Sequence, residues 1–109
     1  MARDKDFHDY ILLDVFSGFF GINSRAMFGG YGFYKDGKMF GLIADGKLYF
    51  KVGESNKKDY EEEGSHPFVY RSKDKNVTLN YWELPERLFE NKEELVEWIE
   101  KSILVHSEK

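Results

Sequence analysis

The sequence has 109 residues, of which 41% are hydrophobic and 17% aromatic, enough to bury the core of one domain without disulfides or metals. A net charge of −4 and a pI of about 5.4 argue against bulk electrostatic attraction to nucleic acid or to an anionic membrane. The sequence contains no cysteine, which excludes thiol chemistry, and no ~20-residue apolar run that could span a bilayer. Its first residues do not resemble the start of a signal peptide, so we expect none. We therefore expect a single domain, residues 1–109, in the cytoplasm.

The first predicted element is a helix over residues 6–20. Its apolar residues recur at helical spacing and form one stripe: Ile11, Leu12, Val15, Phe16 and Phe19. We expect Gly18 or Gly21 to end this helix, because glycine readily adopts the backbone conformation that follows a last helical turn.

An antiparallel meander is predicted next, from Ser24 to Gly53. Two Asp-Gly pairs, at 36–37 and 45–46, divide it into three short runs rich in aromatic and aliphatic residues. Asp-Gly favours a two-residue type I′ turn, because both central positions need a positive φ and the twist of that turn matches the strands it joins. The two turns therefore predict two successive hairpins.

Extending the ladders from these turns predicts the strand register. Phe33 is expected opposite Phe40, and Gly41 opposite both Gly32 and Phe50. Because side chains alternate between the faces of a strand, this register predicts one core face. Its members are Tyr34, Met39, Ile43, Leu48, Phe50 and Val52. We expect a helix to pack over the bare patch that the Gly32–Gly41 pair leaves.

The opposite face of the predicted meander combines aromatic residues with lysines. It carries Tyr31, Phe33, Phe40, Leu42 and Tyr49 together with Lys47 and Lys51. Three interpretations remain open: burial under the 77–82 region of the same chain, an interface with a partner or second copy, and stacking of nucleic-acid bases.

The second half of the sequence predicts two further helices and two strands. A polar surface helix is expected over 54–63, and strands over 68–70 and 77–82, the latter with Val77, Leu79 and Tyr81 on one face. Pro85 favours one helical turn over 86–89. The last helix follows Asn91 as N-cap, with an expected buried stripe of Leu95, Val96, Ile99 and Ile103.

This order of elements predicts the fold class. It reads α-β(3-4)-α-β(2)-α, which indicates an α+β, two-layer domain with an antiparallel meander sheet and helices on one sheet face. The meander segment 24–52 has five basic and two acidic residues, whereas segment 83–101 has seven acidic and three basic residues. We expect these charges to lie on solvated surfaces, and a pairing of the two segments across a dimer is the alternative.

The sequence shows no arrangement typical of a catalytic or metal site. His8, His66 and His106 lie far apart and lack metal-ligand spacing, and no serine lies in a nucleophile-elbow motif. The glycine-rich run 28–32 is followed by strand rather than by a helix N-terminus, so it predicts a bulge or bend and not a phosphate loop. We expect no catalytic residue, no metal and no cofactor.

A joint pattern along almost the whole chain resembles the N-terminal domain of the TfoX family. It comprises Arg25–Gly30, Gly32, Tyr34, Gly37, Met39–Phe40, Leu48–Tyr49 and Lys51–Val52, followed by Pro67–Phe68, Tyr81 and Glu83–Pro85. The resemblance implies an α+β fold similar to that of secretion chaperones and a relation to bacterial regulators of competence for DNA uptake. The family has no established catalytic residues. Because many members carry a second domain, for which 109 residues leave no room, we expect a stand-alone domain.

From these observations we expect a non-enzymatic regulatory or protein-interaction domain that acts in transcriptional regulation. The alternative is direct binding of nucleic acid through the basic and aromatic face. A protein partner or a homodimer is expected, and a membrane is not. The predicted interaction residues, in which rings supply contact area and charges supply orientation, are Arg25, Tyr31, Phe33, Phe40, Tyr49 and Lys51.

Overall fold

A computed structural model describes residues 4–27 and 29–108. The helices are α1 (Lys5–Asp9), α2 (Lys57–Glu62) and α3 (Lys92–Leu104); π-helical residues Tyr10–Val15 continue α1, and 3₁₀ turns span Glu86–Glu90 and Val105–Ser107. The strands are β1 (Ile22–Met27), β2 (Gly30–Lys35), β3 (Lys38–Ala44), β4 (Lys47–Lys51), β5 (Pro67–Ser72) and β6 (Lys75–Glu83). This order confirms the predicted α+β class. Among the described residues, no helix is long and apolar enough to cross a membrane.

The six strands form one antiparallel sheet with the order β1-β2-β3-β4-β6-β5. The two predicted hairpin turns are present. Asp36 and Asp45 both have a φ of 53°, and the glycines that follow them have φ values of 76° and 74°. Positive φ at both central positions is the requirement of the type I′ turn, so the turn prediction is confirmed.

A β-bulge interrupts the predicted register between β2 and β3. The pairs next to the turn are as predicted, ending at Tyr34 opposite Met39, and the register then shifts by one residue. Phe33 lies opposite Gly41 instead of Phe40, so Phe40 is the extra residue of the bulge. A shift of one residue moves side chains to the other face of a sheet.

The bulge also separates the predicted pair of glycines. Gly32 lies opposite Leu42, so its predicted pairing with Gly41 is wrong. No helix covers Gly32 as expected: a Cβ there would lie 3.1 Å from the sulfur of Met27 and 3.2 Å from the Cε of Met39. Methionine side chains, which adapt to irregular gaps, fill this space.

The hydrophobic core lies between the sheet and the helices. Phe33, Phe40 and Phe50 are each 0% exposed and surround Phe16, whose ring centroid lies 5.2 to 6.3 Å from theirs. The predicted core face is confirmed for Ile43, Leu48, Phe50 and Val52. It is wrong for Tyr34 and Met39, because the bulge places Phe33 and Phe40 in the core in their stead.

The first helix differs from the regular helix predicted over 6–20. It changes to π-helical hydrogen bonding at Tyr10, and the turn closes with the amide of Phe16 donating to the carbonyl of Ile11 at 2.8 Å. Ile11 and Val15 are buried as predicted. The ammonium of Lys92 donates to carbonyl oxygens at the end of this helix, including that of Asp14 at 2.9 Å, and so fastens it to α3.

The last helix begins as predicted. The side-chain oxygen of Asn91 accepts a hydrogen bond from the amide of Glu94 at 3.2 Å, which confirms the N-cap. Leu95 and Ile99 are buried as expected, but the buried residue between them is Trp98, whereas Val96 is 36% exposed. The prediction that Val96 belongs to the buried stripe is therefore wrong.

Candidate functional site

The side of the sheet opposite the helices, here called the outer face, carries a second set of apolar side chains. The register places Leu42 of β3, Tyr49 of β4 and Glu83 of β6 side by side on this face. Leu42 is 8% exposed and Tyr49 is 5% exposed, although none of the helices in the described residues packs over them. Other parts of the sheet must therefore cover them.

The β5–β6 hairpin provides that cover. The ring of Phe68 lies 5.0 Å from the ring of Tyr49, and Tyr70 stacks beside Phe68 at 6.1 Å. The sheet curls so that both edge strands contribute to one groove of about 340 Å³, here called the sheet groove. Its lining residues are Met27, Tyr31, Leu42, Ile43, Ala44, Phe68, Tyr70 and Leu79.

The sheet groove has a buried floor and a more exposed wall. Leu42 belongs to the floor, whereas Tyr70 is 42% exposed and its neighbour along β5, Val69, is 47% exposed. Since the lining is aliphatic, aromatic and thioether, the groove offers contact area to an apolar side chain.

Basic side chains lie beside aromatic rings on the same face. The guanidinium of Arg25 lies 5.4 Å from the centroid of Tyr34, and the ammonium of Lys51 lies 5.2 Å from the centroid of Tyr81. Both distances are within the range of a cation–π interaction, which holds each cation near the sheet. Positive charge is thereby kept on the outer face, which also carries the sheet groove.

Two tyrosines of the outer face, Tyr49 and Tyr81, are neutral phenols at neutral pH. Burial raises the pKa of Tyr81 to about 12, and burial also raises the pKa of Tyr49. The hydroxyl of Tyr81 donates a hydrogen bond to the carbonyl of Met39 at 3.2 Å, which joins β6 to β3 across the outer face. The hydroxyl of Tyr81 therefore acts as a hydrogen-bond donor and not as a base.

The structure brings together three of the six predicted interaction residues: Arg25, Tyr49 and Lys51 lie on the outer face. Tyr31 borders the sheet groove, but its ring lies on the helix side of the sheet, where it stacks on the imidazole of His8 at 4.1 Å, so its predicted place on the outer face is wrong. The other two, Phe33 and Phe40, are corrected: both are fully buried against the helices because of the bulge. They cannot contact a partner in this fold.

Sequence reasoning missed four residues that form much of the groove: Met27, Phe68, Tyr70 and Leu79. One signal was present, since Phe68 and Tyr70 alternate along β5 as Leu79 and Tyr81 do along β6. Alternation shows that such residues share a face. It does not show that the hairpin curls over β3.

A hydrogen-bonded chain links α1 to β1. The Nε2 of His8 lies 2.8 Å from the hydroxyl of Ser24, and its Nδ1 lies 2.9 Å from a carboxylate oxygen of Asp9. The order of groups is that of a Ser–His–Asp triad, but the stacking of His8 on Tyr31 and Phe33 buries the imidazole to 12% side-chain exposure. We interpret these hydrogen bonds as structural, because they connect the first helix to the edge strand β1.

Comparison with known proteins assigns the family. The sequence model of the TfoX N-terminal domain matches residues 14–105. The chain belongs to the TfoX N-terminal domain family. It is 40% identical over 70 residues to DNA transformation protein TfoX1 of Aliivibrio fischeri, which covers 64% of this chain and 33% of that protein.

A second relative of the TfoX family shows the same pattern of coverage. Protein Sxy of Escherichia coli is 31% identical over 75 residues, which is 69% of this chain and 36% of Sxy. The chain thus spans about a third of the length of both relatives. The predicted resemblance to the TfoX family is confirmed.

Proposed function

We propose that this chain is a non-enzymatic regulatory domain, acting in the cytoplasm as a single unit, that influences transcription by binding a protein through the sheet groove. Membership in the TfoX family supports a regulatory role. The observation that carries the choice of surface is the apolar groove itself, which lies opposite the helices and is lined by residues of both edge strands. An apolar patch of this kind usually marks an interaction site.

The shape and chemistry of the sheet groove favour an apolar protein segment as its ligand. A volume of about 340 Å³ accommodates one or two large apolar side chains. Tyr70, at 42% exposure, is a suitable contact residue because tyrosine adds large area with few rotatable bonds. Arg25 and Lys51 provide positive charge near the apolar surface for orientation.

The test compares two neighbouring residues that face opposite sides of β5. Cells that lack the gene are complemented with the wild type, with Tyr70→Glu or with Val69→Glu, and their transcripts are sequenced. Tyr70 lines the groove whereas Val69, which is equally exposed, points away from it. We expect Val69→Glu to restore the wild-type transcripts and Tyr70→Glu to fail, with both proteins folded by circular dichroism. Restoration by both variants, or failure of both, would contradict the use of the groove.

Direct binding of nucleic acid is the second candidate. The observation that favours it is the placement of Arg25 and Lys51 beside tyrosine rings, since bases stack on rings while cations contact phosphates. Fluorescence anisotropy with single-stranded and double-stranded DNA tests it. Binding would weaken steeply with salt, and Lys51→Gln would lower the slope of log K against log salt by about one. Absence of binding at low salt would exclude this candidate.

A further inference from the structure

Phe20 is the most exposed large apolar side chain among the described residues. It is 88% exposed, in the short connection between the π-helical turn and β1. Gly18 and Gly21, with φ values of 87° and 78°, flank it and bend the backbone so that the ring projects from the surface. A phenylalanine in this position gains nothing from the fold of its own chain.

The surroundings of Phe20 combine apolar and charged groups. Together with Ile22 and Val96 it borders a shallow depression of about 200 Å³, which Lys35 of β2 and Glu100 of α3 also line. Glu93 and Glu97 are exposed on the same side of α3 as Glu100, because residues three, four and seven apart share a helix face. Phe20 is therefore an apolar knob beside a row of carboxylates.

The sheet groove complements the Phe20 loop, because it is apolar and lies on the face that carries Arg25 and Lys51. It lies elsewhere on the molecule. Strand β1 runs between the two surfaces, with Ile22 beside Phe20 and Met27 in the groove. These two residues are five positions apart on one strand, which is about 17 Å. The knob of one copy therefore cannot enter the groove of the same copy.

We propose that the sheet groove binds the Phe20 loop of a second copy of this chain. The proposal rests on the proposed function, in which the sheet groove is the binding surface, and it names a second copy of the chain as the ligand. The ring of Phe20 fits a groove of about 340 Å³ with an apolar lining. The carboxylates of α3 would then approach Arg25 and Lys51 on the other copy, so the charges as well as the shapes are complementary.

This contact joins two different surfaces. Two copies related by a twofold axis can exchange it reciprocally, with each knob in the groove of the other, and stop at a dimer. A head-to-tail arrangement instead leaves one free knob and one free groove, and association continues into a ring or an open chain. The molar mass of the wild type at high concentration separates the two arrangements.

The first experiment measures molar mass against protein concentration by light scattering and sedimentation. The wild type is expected to rise above its monomer mass of 12.9 kDa with concentration. Phe20→Ala and Tyr70→Glu should each weaken association at least about tenfold. The matched control is Leu13→Ala, which removes another exposed apolar side chain, 65% exposed, outside both surfaces and should associate like the wild type.

The second experiment mixes Phe20→Ala with Tyr70→Glu. The first variant keeps its groove and the second keeps its knob, so the mixture should form a one-to-one pair and nothing larger. Either variant alone should remain monomeric. A contact of the groove with a second groove, or of the Phe20 loop with a second Phe20 loop, would give no such complementation.

Three results would overturn the proposal: a wild type that stays at 12.9 kDa, equal association of Phe20→Ala and wild type, or an equal loss in Leu13→Ala. None of them decides the proposed function, which depends on the transcripts of Tyr70→Glu against Val69→Glu. Phe20→Ala in the same cells separates the two. Normal transcripts from a monomeric Phe20→Ala would show that the groove acts on another protein.

Discussion

The two faces of the sheet are both rich in aromatic residues, but they are covered in different ways. On the inner face, Phe33, Phe40 and Phe50 are completely buried by the helices. On the outer face, Leu42 and Tyr49 are buried only by side chains of the curled sheet itself. A helix layer closes a face, whereas a curled hairpin leaves a groove along it. Coverage by helices, and not amino-acid composition, therefore separates the core from the candidate binding surface.

The largest loss of stability is expected when a buried ring of the inner face is removed. Phe40→Ala removes a fully buried ring between Phe16 and Phe50 and should lower the free energy of unfolding by about 3–5 kcal/mol. Urea denaturation measures it. The same substitution at Phe20, 88% exposed, should change stability by less than about 0.5 kcal/mol in dilute protein. Similar losses of stability at both positions would contradict the assignment of Phe40 to the core and of Phe20 to the surface.

Two glycines on adjacent strands test how rigid each face is. A Cβ at Gly41 would lie 3.2 Å from both the ring of Phe50 and the carbonyl oxygen of Tyr49, so Gly41→Ala should cost about 1–3 kcal/mol. A Cβ at Gly32 meets only the flexible ends of methionine side chains, so Gly32→Ala should be close to neutral, within about 1 kcal/mol. Thermal denaturation of both variants decides the order. A costlier Gly32→Ala would mean that the outer face is the more rigid one.

A smaller effect is expected from the hydroxyl groups of two tyrosines. Tyr60 packs on Trp98 at 4.6 Å, and among the described residues its buried hydroxyl has no hydrogen-bond partner. Tyr60→Phe should therefore leave stability unchanged or raise it by up to about 1 kcal/mol. Tyr81→Phe, on the outer face, should instead lose about 1 kcal/mol with its hydrogen bond to Met39. Denaturant midpoints that rank the two variants the other way would contradict this assignment.

The smallest effect concerns an exposed ionic network at the rim of the helix layer. Arg87 bonds the carboxylates of Glu63 and Glu94 and holds the pKa of each below its ordinary value of 4.5. Because a lowered pKa in the folded state stabilises the protein above the ordinary value, this contribution is lost as the pH falls through the lowered values.

Arg87→Ala should therefore lower the melting temperature slightly at pH 7, and the difference from the wild type should shrink below pH 4.5. Melts across this pH range measure it. The control is Arg71→Ala, which removes another exposed arginine. Its difference in melting temperature from the wild type should not shrink as the pH falls. A difference that stays constant with pH would show that Arg87 acts through packing alone.

Local chemistry allowed much of the fold to be predicted. The two Asp-Gly turns and the Asn91 cap depend on residues that are close in sequence, and all three are confirmed. The bulge at Phe40 was missed, because it satisfies a tertiary demand: it places two phenylalanines in the core at the expense of a regular ladder. The same demand explains why Phe33 and Phe40 were assigned to the wrong face.

The candidate site was predictable only in part. Tyr49 and Lys51 could be assigned to the outer face from the second turn, since the β3–β4 register follows directly from it. The groove wall formed by Phe68 and Tyr70 depends on the curl of the whole sheet, which arises from the accumulated twist of six strands. Turn chemistry and alternation carry no information on that curl.

The topology of the sheet also predicts the order in which its strands pair during folding. Strands β1 to β4 pair with their neighbours in sequence, whereas Lys51 must find Tyr81 across a long intervening segment to join β4 to β6. Contacts of high sequence separation form late, because the entropy of closing the loop is lost before they stabilise anything. We expect the meander to form first, with Leu42 and Tyr49 still in contact with water. Refolding at high concentration is therefore the stage at which this chain is most prone to aggregate.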